Sequence, residues 1–272
     1  MLDIKYNYLI GSSEPFPDDY DIDERIDPDT GGCRKLYDDI KEAFFSNERI
    51  NRGNGIDTVE NWEQQYPNKP LFYTIRINKG KDDEILLSSD YIGPSVYWAR
   101  KSGIDDAQIK SYLEICRTIG GHMIWPRGRE FAKKINTSRS GNKGVYDRID
   151  WTLILLKIYF EDDNQTSFMN KANNLIPETF WNKSNFNDIF SEMFSAFEAS
   201  KRWFVKFGTF KNFCIQFKLL GNFVDANLDV VMMANLFPIL PNDYKGYINN
   251  ICQAIKLRNA FFCVLEATNA NL

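Results

Sequence analysis

The sequence predicts a predominantly helical α+β fold, in which a small β-hairpin or sheet of the N-terminal half packs on a helical C-terminal part. Apolar residues recur at helical spacing through most of the second half. One earlier stretch is instead rich in β-branched and aromatic residues and is interrupted by a turn. The 272 residues, 43% of them hydrophobic, suffice for a large core. Because no linker or repeat is visible, we predict one domain over residues 1–272.

Residues 1–32 form an acidic segment that precedes the first predicted helix. They contain nine acidic and two basic side chains, interspersed with prolines and glycines. This composition is typical of irregular, solvated chain. We therefore predict no regular secondary structure for the segment.

The next predicted elements are one helix and one hairpin. Apolar residues at every fourth position predict an amphipathic helix over residues 33–46. The polar, glycine-rich residues 51–55 are expected to form a loop. Residues 70–77 and 84–88 have strand composition, and the turn residues between them predict a β-hairpin.

A further predicted helix leads to the only histidine of the chain. Asp105 is a good N-cap residue, and the apolar spacing continues to residue 119. Because glycine readily adopts the left-handed conformation that ends many helices, Gly120 and Gly121 are expected to form the C-cap. Residues 122–125 should then be extended.

Most of the remaining chain is predicted to be helical, whereas residues 228–237 could be a strand or a helix. Residues 146–160 carry apolar side chains on nearly every side, which predicts a buried helix. Phenylalanines at helical spacing follow between residues 186 and 217, and the last predicted helix covers residues 241–266.

Composition narrows the class of protein. The net charge of −4 and the pI near 5.3 argue against a general nucleic-acid coat. No apolar stretch has the length of a membrane span, and residues 1–10 lack the pattern of a signal peptide. The five cysteines show no CxxC spacing, which is typical of reduced thiols. We therefore expect a cytoplasmic protein with no membrane partner, no metal and no cofactor.

The densest group of potential ligand-binding side chains lies within residues 117–148, called here the basic segment. It contains eight basic and two acidic side chains, with amides and glycines between them. Arginine forks and the backbone amides of glycine-rich turns suit phosphate oxygens, so a nucleotide or nucleic-acid phosphate is the expected ligand. The predicted ligand-binding residues are Arg127, Asn136, Arg139 and Arg148.

His122 is the predicted catalytic residue, because the unperturbed pKa of histidine allows proton exchange near neutrality. The alternative is a packing residue that follows a helix end. Arg117 lies five residues earlier, a spacing similar to that of the ribonucleases of the HEPN superfamily. In those enzymes the pair lies on one helix, whereas here Gly120 and Gly121 are expected to end the helix first.

The basic segment also has an interpretation without a ligand. It would then be a solvated loop that the acidic residues 1–32 neutralise in part. Asp147 and Asp150 are expected on one helix face, with Arg148 pointing elsewhere, and Asp150 could pair with Arg139.

Several segments together resemble an uncharacterised bacterial protein family. They include GGHMIWPR, INTSRSGN and YDRIDWTLILLKIYF, and with shorter pieces they cover most of the chain. That family has no established activity, so the resemblance implies no function. It implies one domain of bacterial or phage origin, with residues 120–160 as its signature.

Two functions of different classes follow from the sequence. The first is a protein with an anion site in the basic segment, acting on phosphodiesters through His122. The second is a non-enzymatic module that binds a protein partner, for example in conflict between phage and host. Whether the chain is an enzyme stays open at this point.

Overall fold

The chain is mostly helical with one sheet in its N-terminal half, which confirms the predicted fold class. A computed structural model describes residues 2–22, 34–46, 50–52, 73–76, 84–93, 96–126, 148–178, 184–235 and 241–269. The chain divides into two compact units. The first unit comprises residues 1–125 and 251–272, and the second comprises residues 126–250. The single domain expected from the sequence stays a prediction.

The first unit contains the sheet. Its strands are β1 (Ile50–Arg52), β2 (Tyr73–Arg76), β3 (Glu84–Tyr91) and β4 (His122–Pro126), in the spatial order β1-β2-β3-β4. Strands β2 and β3 are antiparallel, with Tyr73 opposite Leu87, which confirms the hairpin.

The predicted loop over residues 51–55 is wrong at its start. Asn51 and Arg52 belong to β1, where Asn51 pairs with Thr74 in an antiparallel ladder. Polar residues of this kind are poor strand formers, so the ladder with β2 overrides their local preference.

Helix α1 (Arg34–Phe45) lies within the helix predicted over residues 33–46. Leu36, Ile40 and Phe44 are buried on its inner face. The short helix α2 covers Val96–Lys101.

Helix α3 covers Asp106–Cys116, and its N-cap is the predicted one. The Asp105 carboxylate accepts a hydrogen bond from the Gln108 amide at 2.8 Å. The helix ends three residues earlier than predicted, at Cys116, and a 3₁₀ turn over Ile119–Gly121 leads into β4.

Gly120 and Gly121 do not adopt the left-handed conformation that the sequence suggested, so this prediction is wrong. Close packing requires them instead. A Cβ atom on Gly121 would lie 1.9 Å from the carbonyl oxygen of Cys116. A Cβ on Gly120 would lie 2.4 Å from Oδ1 of Asn259 and 2.9 Å from the carbonyl oxygen of Ile255.

The described part of the acidic segment, residues 2–22, contains no helix and no strand longer than one bridge pair, in agreement with the prediction. It is nevertheless anchored rather than fully solvated. Tyr8 and Phe16 are buried, and the Tyr8 hydroxyl donates to Oδ2 of Asp39 at 2.6 Å. Residues 23–32 lie outside the described residues.

The second unit is helical. Its helices are α4 (Ile149–Glu161), α5 (Gln165–Asn174), α6 (Ser184–Ala199), α7 (Lys201–Val205) and α8 (Phe210–Gln216). Helix α9 (Pro241–Asn269) begins in this unit and continues into the first. Helix α4 is buried nearly all round, as predicted.

Aromatic rings fill the core of the second unit. The Phe160 ring centroid lies 5.7 Å from that of Phe204 and 6.1 Å from that of Phe213, and Tyr159 lies 5.5 Å from Phe197. Tilted and edge-on pairs at such distances are favourable beyond the area they bury. The phenylalanines at helical spacing in the sequence therefore contribute to the core of this unit.

Helix α9 buries the four positions that its apolar spacing predicts: Tyr244, Ile248, Ile251 and Ile255. It ends at Asn269, three residues beyond the predicted end. Within the described ranges, no helix combines the length and the apolar character of a membrane span.

The packing at Gly121 leads to a stability prediction. A Gly121→Ala variant should have a free energy of unfolding lower by about 1–3 kcal/mol, because the methyl group would overlap the Cys116 backbone. Gly246→Ala is the matched control, since its Cβ would meet nothing within 4 Å inside helix α9. The control should be more stable by about 0.5–1 kcal/mol in urea unfolding. A Gly121→Ala protein as stable as the wild type would contradict the packing.

Candidate functional site

His122 is fully buried at the start of β4, in the first unit. Its Nδ1 atom lies 2.9 Å from the hydroxyl oxygen of Ser89, on β3. The Tyr8 ring meets the imidazole edge-on, with 5.4 Å between the ring centroids. These contacts are those of a packing residue, which was the alternative to catalysis. A catalytic role for His122 stays a prediction.

Arg258, on helix α9, binds the backbone next to His122, and its side chain is fully buried. Its Nη1 donates to the carbonyl oxygens of Gly120 and His122, at 2.7 Å each. The guanidinium also lies 5.1 Å from the ring centroid of Phe44. Burial lowers the pKa of Arg258 to about 9, so the group keeps its charge at neutral pH.

Arg258 was not predicted from the sequence, although its position on the apolar face of α9 could have identified it. The residue occupies the position on the inner face of α9 that follows Ile251 and Ile255 and precedes Phe262. A charged residue at such a position of an otherwise apolar helix face indicates a buried ion with dedicated partners.

Asn259 completes the attachment of α9 to the segment before β4. Its Nδ2 donates to the Thr118 hydroxyl at 2.7 Å, and its Oδ1 accepts from the Gly120 amide at 2.7 Å. Residues 118–122, which include His122, are thus held by the side chains of Arg258 and Asn259 on helix α9. These residues therefore attach helix α9 to the rest of the first unit.

Arg117, the partner of His122 in the pattern similar to HEPN ribonucleases, has contacts of its own. Its guanidinium carbon lies 3.5 Å from the centroid of the Tyr91 ring, and Nη1 lies 3.4 Å from the Cys116 sulfur. The side chain is buried at the C-cap of α3 and not on a helix that His122 shares.

Arg148, a predicted ligand-binding residue, is fully buried in the second unit. Its Nε donates to Oδ1 of Asp150 at 2.9 Å and its Nη2 to Oδ2 at 2.5 Å, a bidentate pair. Its Nη1 donates to the Asn235 carbonyl oxygen at 2.8 Å. The expectation that Arg148 points away from Asp150 is wrong. Helix α4 begins immediately after Arg148, which lets the guanidinium fold back onto the first turn.

Asp150 also links the segment around Met233, which is remote in sequence, to helix α4. Its Oδ2 accepts from the Met233 amide at 3.0 Å, and the Asn250 side chain donates to the Met233 carbonyl at 2.8 Å. The suggested partner Arg139 lies outside the described residues, as do Arg127 and Asn136. The anion site that these residues would form stays a prediction, as does its neutralisation by the acidic segment.

An acidic cleft lies in the second unit, where α4 ends and α7 passes. Its volume is about 390 Å³. The lining residues are Tyr159, Phe160, Glu161, Asp162, Asp163, Lys201, Phe204, Val205 and Gly208. We call this feature the acidic cleft.

Three successive acidic residues, Glu161, Asp162 and Asp163, are in the lining of the acidic cleft. Glu161 is the last residue of α4 and Asp162 is its C-cap, so these residues lie at the helix C-terminus, whose carbonyl groups carry partial negative charge. The Asp162 carboxylate accepts hydrogen bonds from the Ser167 side chain and the Asn164 amide, which lower its pKa. It therefore stays ionised at neutral pH.

Two ammonium groups approach these carboxylates. Lys201 Nζ lies 2.5 Å from Oδ2 of Asp163 and 3.7 Å from Oε1 of Glu198. Lys171 Nζ lies 3.5 Å from Oε2 of Glu161. All these groups are at least partly exposed, so the pairs are open to exchange with other cations.

The lining of the acidic cleft also contains apolar residues. Tyr159 and Phe204 are largely buried, and the Tyr159 hydroxyl donates to Glu198 at 2.6 Å. Val205 stands 66% exposed, the most exposed of the large apolar side chains in the described ranges. A cation with an adjoining apolar group would meet complementary surfaces here.

The sequence contains a signal for the cleft that its analysis did not use. The acids Glu161, Asp162 and Asp163 are consecutive at the C-terminal end of the buried helix α4 and directly follow the aromatic residues Tyr159 and Phe160 in sequence. Among the residues that the structure describes, no group of three acidic, histidine or cysteine side chains is placed to hold a metal ion.

The buried Arg148–Asp150 pair leads to a second stability prediction. Asp150→Ala should lower the free energy of unfolding by about 3–5 kcal/mol, because it leaves a guanidinium buried without its carboxylate. Lys157→Ala, which removes the exposed Lys157–Asp229 pair, should cost less than about 1 kcal/mol. If denaturant titrations gave the same loss in the free energy of unfolding for both variants, the Arg148–Asp150 pair would not have the structural role proposed for it.

Comparison with known protein families gives a match over much of the chain. The family of unknown function DUF6994 matches residues 15–192, a range that includes His122, Arg148 and the three carboxylates of the cleft. No curated protein and no solved structure matches the chain. The match covers well over half of the sequence and confirms the resemblance to an uncharacterised family. The chain belongs to the DUF6994 family.

Proposed function

We propose that this chain is a non-enzymatic interaction protein, and that its acidic cleft receives a segment of a partner protein in which a basic side chain adjoins an apolar one. The observation that carries the proposal is that three successive acidic residues and the exposed Val205 line one cleft of about 390 Å³.

The burial of the catalytic candidate His122 and of the ligand-binding candidate Arg148 supports an interaction protein over an enzyme. His122 and Arg148 are each fully enclosed and bonded to neighbours within their own unit. A general acid or base must come within hydrogen-bond distance of a substrate, and a phosphate-binding arginine must have donors to offer.

Charge supports a cationic partner. The lining of the cleft contains three carboxylates and one ammonium group, which leaves two net negative charges. Complementary potential speeds encounter and suppresses partners of the wrong sign. An arginine or lysine side chain of the partner would meet Glu161 and Asp163, and a neighbouring leucine or valine would cover Val205.

The size of the cleft indicates how much of the partner enters. Its volume is near the lower end of ligand pockets, which span about 300–1,000 Å³. One or two side chains of the partner would fill it. The affinity of an isolated peptide should therefore be modest, with other contacts adding to it in the full complex.

A peptide titration tests the proposal. The probe is a blocked tetrapeptide of alanine, arginine, leucine and alanine, followed by NMR or calorimetry at low salt. We expect millimolar binding that weakens about fivefold for each carboxylate removed, in Glu161→Gln and in Asp163→Asn, since one charge contact near the surface contributes about 1 kcal/mol.

Two controls accompany the titration. Glu192→Gln makes the same change of charge at an exposed position of α6 outside the cleft lining, and should bind like the wild type. A peptide with glutamine in place of arginine should not bind. Binding that ignores the cleft substitutions, or that falls equally in Glu192→Gln, would refute the proposed site.

An anion site in the basic segment is the second candidate function. The observation that favours it is the excess of eight basic over two acidic residues between positions 117 and 148. Its remaining ligand-binding candidates are Arg127, Asn136 and Arg139, with a phosphate-bearing ligand such as a nucleotide or an oligonucleotide.

Titration with nucleotides and a short oligonucleotide tests this second function. Arg139→Ala should weaken binding, and raising the salt concentration should weaken it further, because ion contacts with phosphate are screened. Equal binding by wild type and Arg139→Ala, or binding by neither, would eliminate the site. A bacterial or phage origin, a cytoplasmic location and a role in phage–host conflict belong to these proposals.

A further inference from the structure

We infer that Lys201 is an internal competitor for the acidic cleft, whose ammonium group occupies the place that the cation of the partner would take. The inference rests on the proposed function of the cleft. It identifies a residue that sets the affinity and the selectivity of that site.

The position of Lys201 supports this role. The residue opens helix α7 and is itself part of the cleft lining. Its Nζ bonds Asp163 at 2.5 Å and lies 3.7 Å from Glu198. Asp163 is one of the carboxylates that the proposed partner would bind. Lys201 and a cation of the partner therefore cannot both bind it in the same way.

The exposure of the pair makes exchange feasible. About half of each side chain is open to solvent, at 46% for Lys201 and 53% for Asp163. Exposed pairs of this kind are weak, and the long lysine side chain can rotate away without disturbing buried structure. An arriving cation would therefore displace Lys201 at a small cost in affinity.

The competition also favours arginine over lysine in the partner. A guanidinium can bond two carboxylate oxygens at once, whereas an ammonium group acts as a point charge. A partner lysine would exchange one ammonium for another at Asp163 and gain little. A partner arginine would gain the additional hydrogen bond.

The experiment measures the affinity of the blocked arginine peptide for Lys201→Gln. Removing the competitor should tighten binding about two- to fivefold, the range expected for an exposed ion pair. Lys201→Arg keeps a cation in place and should not tighten it. Lys211→Gln, at an exposed position of α8 outside the cleft lining, makes the same change of net charge and should also leave binding unchanged.

The peptide with lysine in place of arginine provides a second measurement. It should bind the wild type more weakly than the arginine peptide does, and the difference should shrink in Lys201→Gln. Circular dichroism spectra that match the wild type would show that the variants are folded.

Each outcome bears on a separate statement. Tighter binding by Lys201→Gln alone supports the competition. If the wild type binds the peptide and Lys201→Gln binds it no more tightly, or Lys211→Gln tightens it equally, the competition is refuted and the proposed function stands. If neither wild type nor Lys201→Gln binds, both statements are refuted.

Discussion

The need to satisfy buried guanidinium groups governs both units of this protein. Removing a charged side chain from water is costly unless hydrogen bonds and opposite charge replace the lost hydration. Arg258 meets this requirement with the carbonyl groups of Gly120 and His122, and Arg148 meets it with Asp150 and the carbonyl of Asn235. The carbonyl groups of Gly120, His122 and Asn235 are remote in sequence from the arginines they bind, so each arginine fixes how two distant segments meet.

This constraint changes how the charges of the basic segment are interpreted. A count of charges treats all its arginines alike, yet Arg117 and Arg148, the two that the structure describes, are inside the protein. Both lie next to the end of a helix, where the chain enters or leaves the core. Proximity to an apolar helix is thus a reason to assign an arginine to the interior before assigning it to a ligand.

Local patterns in the sequence were sufficient for most of the fold. The cap at Asp105, the hairpin and the inner faces of α1, α4 and α9 all follow from spacing and capping chemistry. What failed depends on remote partners. Gly120 packs against Asn259 of helix α9, and the strand at Asn51 exists because β2 is available for pairing. Neither neighbour can be identified from the residues that flank these positions.

The candidate site shows the same division. Sequence reasoning placed function where polar residues are concentrated, around His122, but concentrated polar groups that are buried serve the fold. The acidic cleft is less conspicuous in sequence, because its lining combines Lys201 and Val205 of α7 with the residues at the end of α4, which are far apart along the chain. Its charges remain exposed and exchangeable, which is what recognition requires. A surface whose ion pairs can be broken at small cost is better suited to a reversible partner than one whose charges hold the core together.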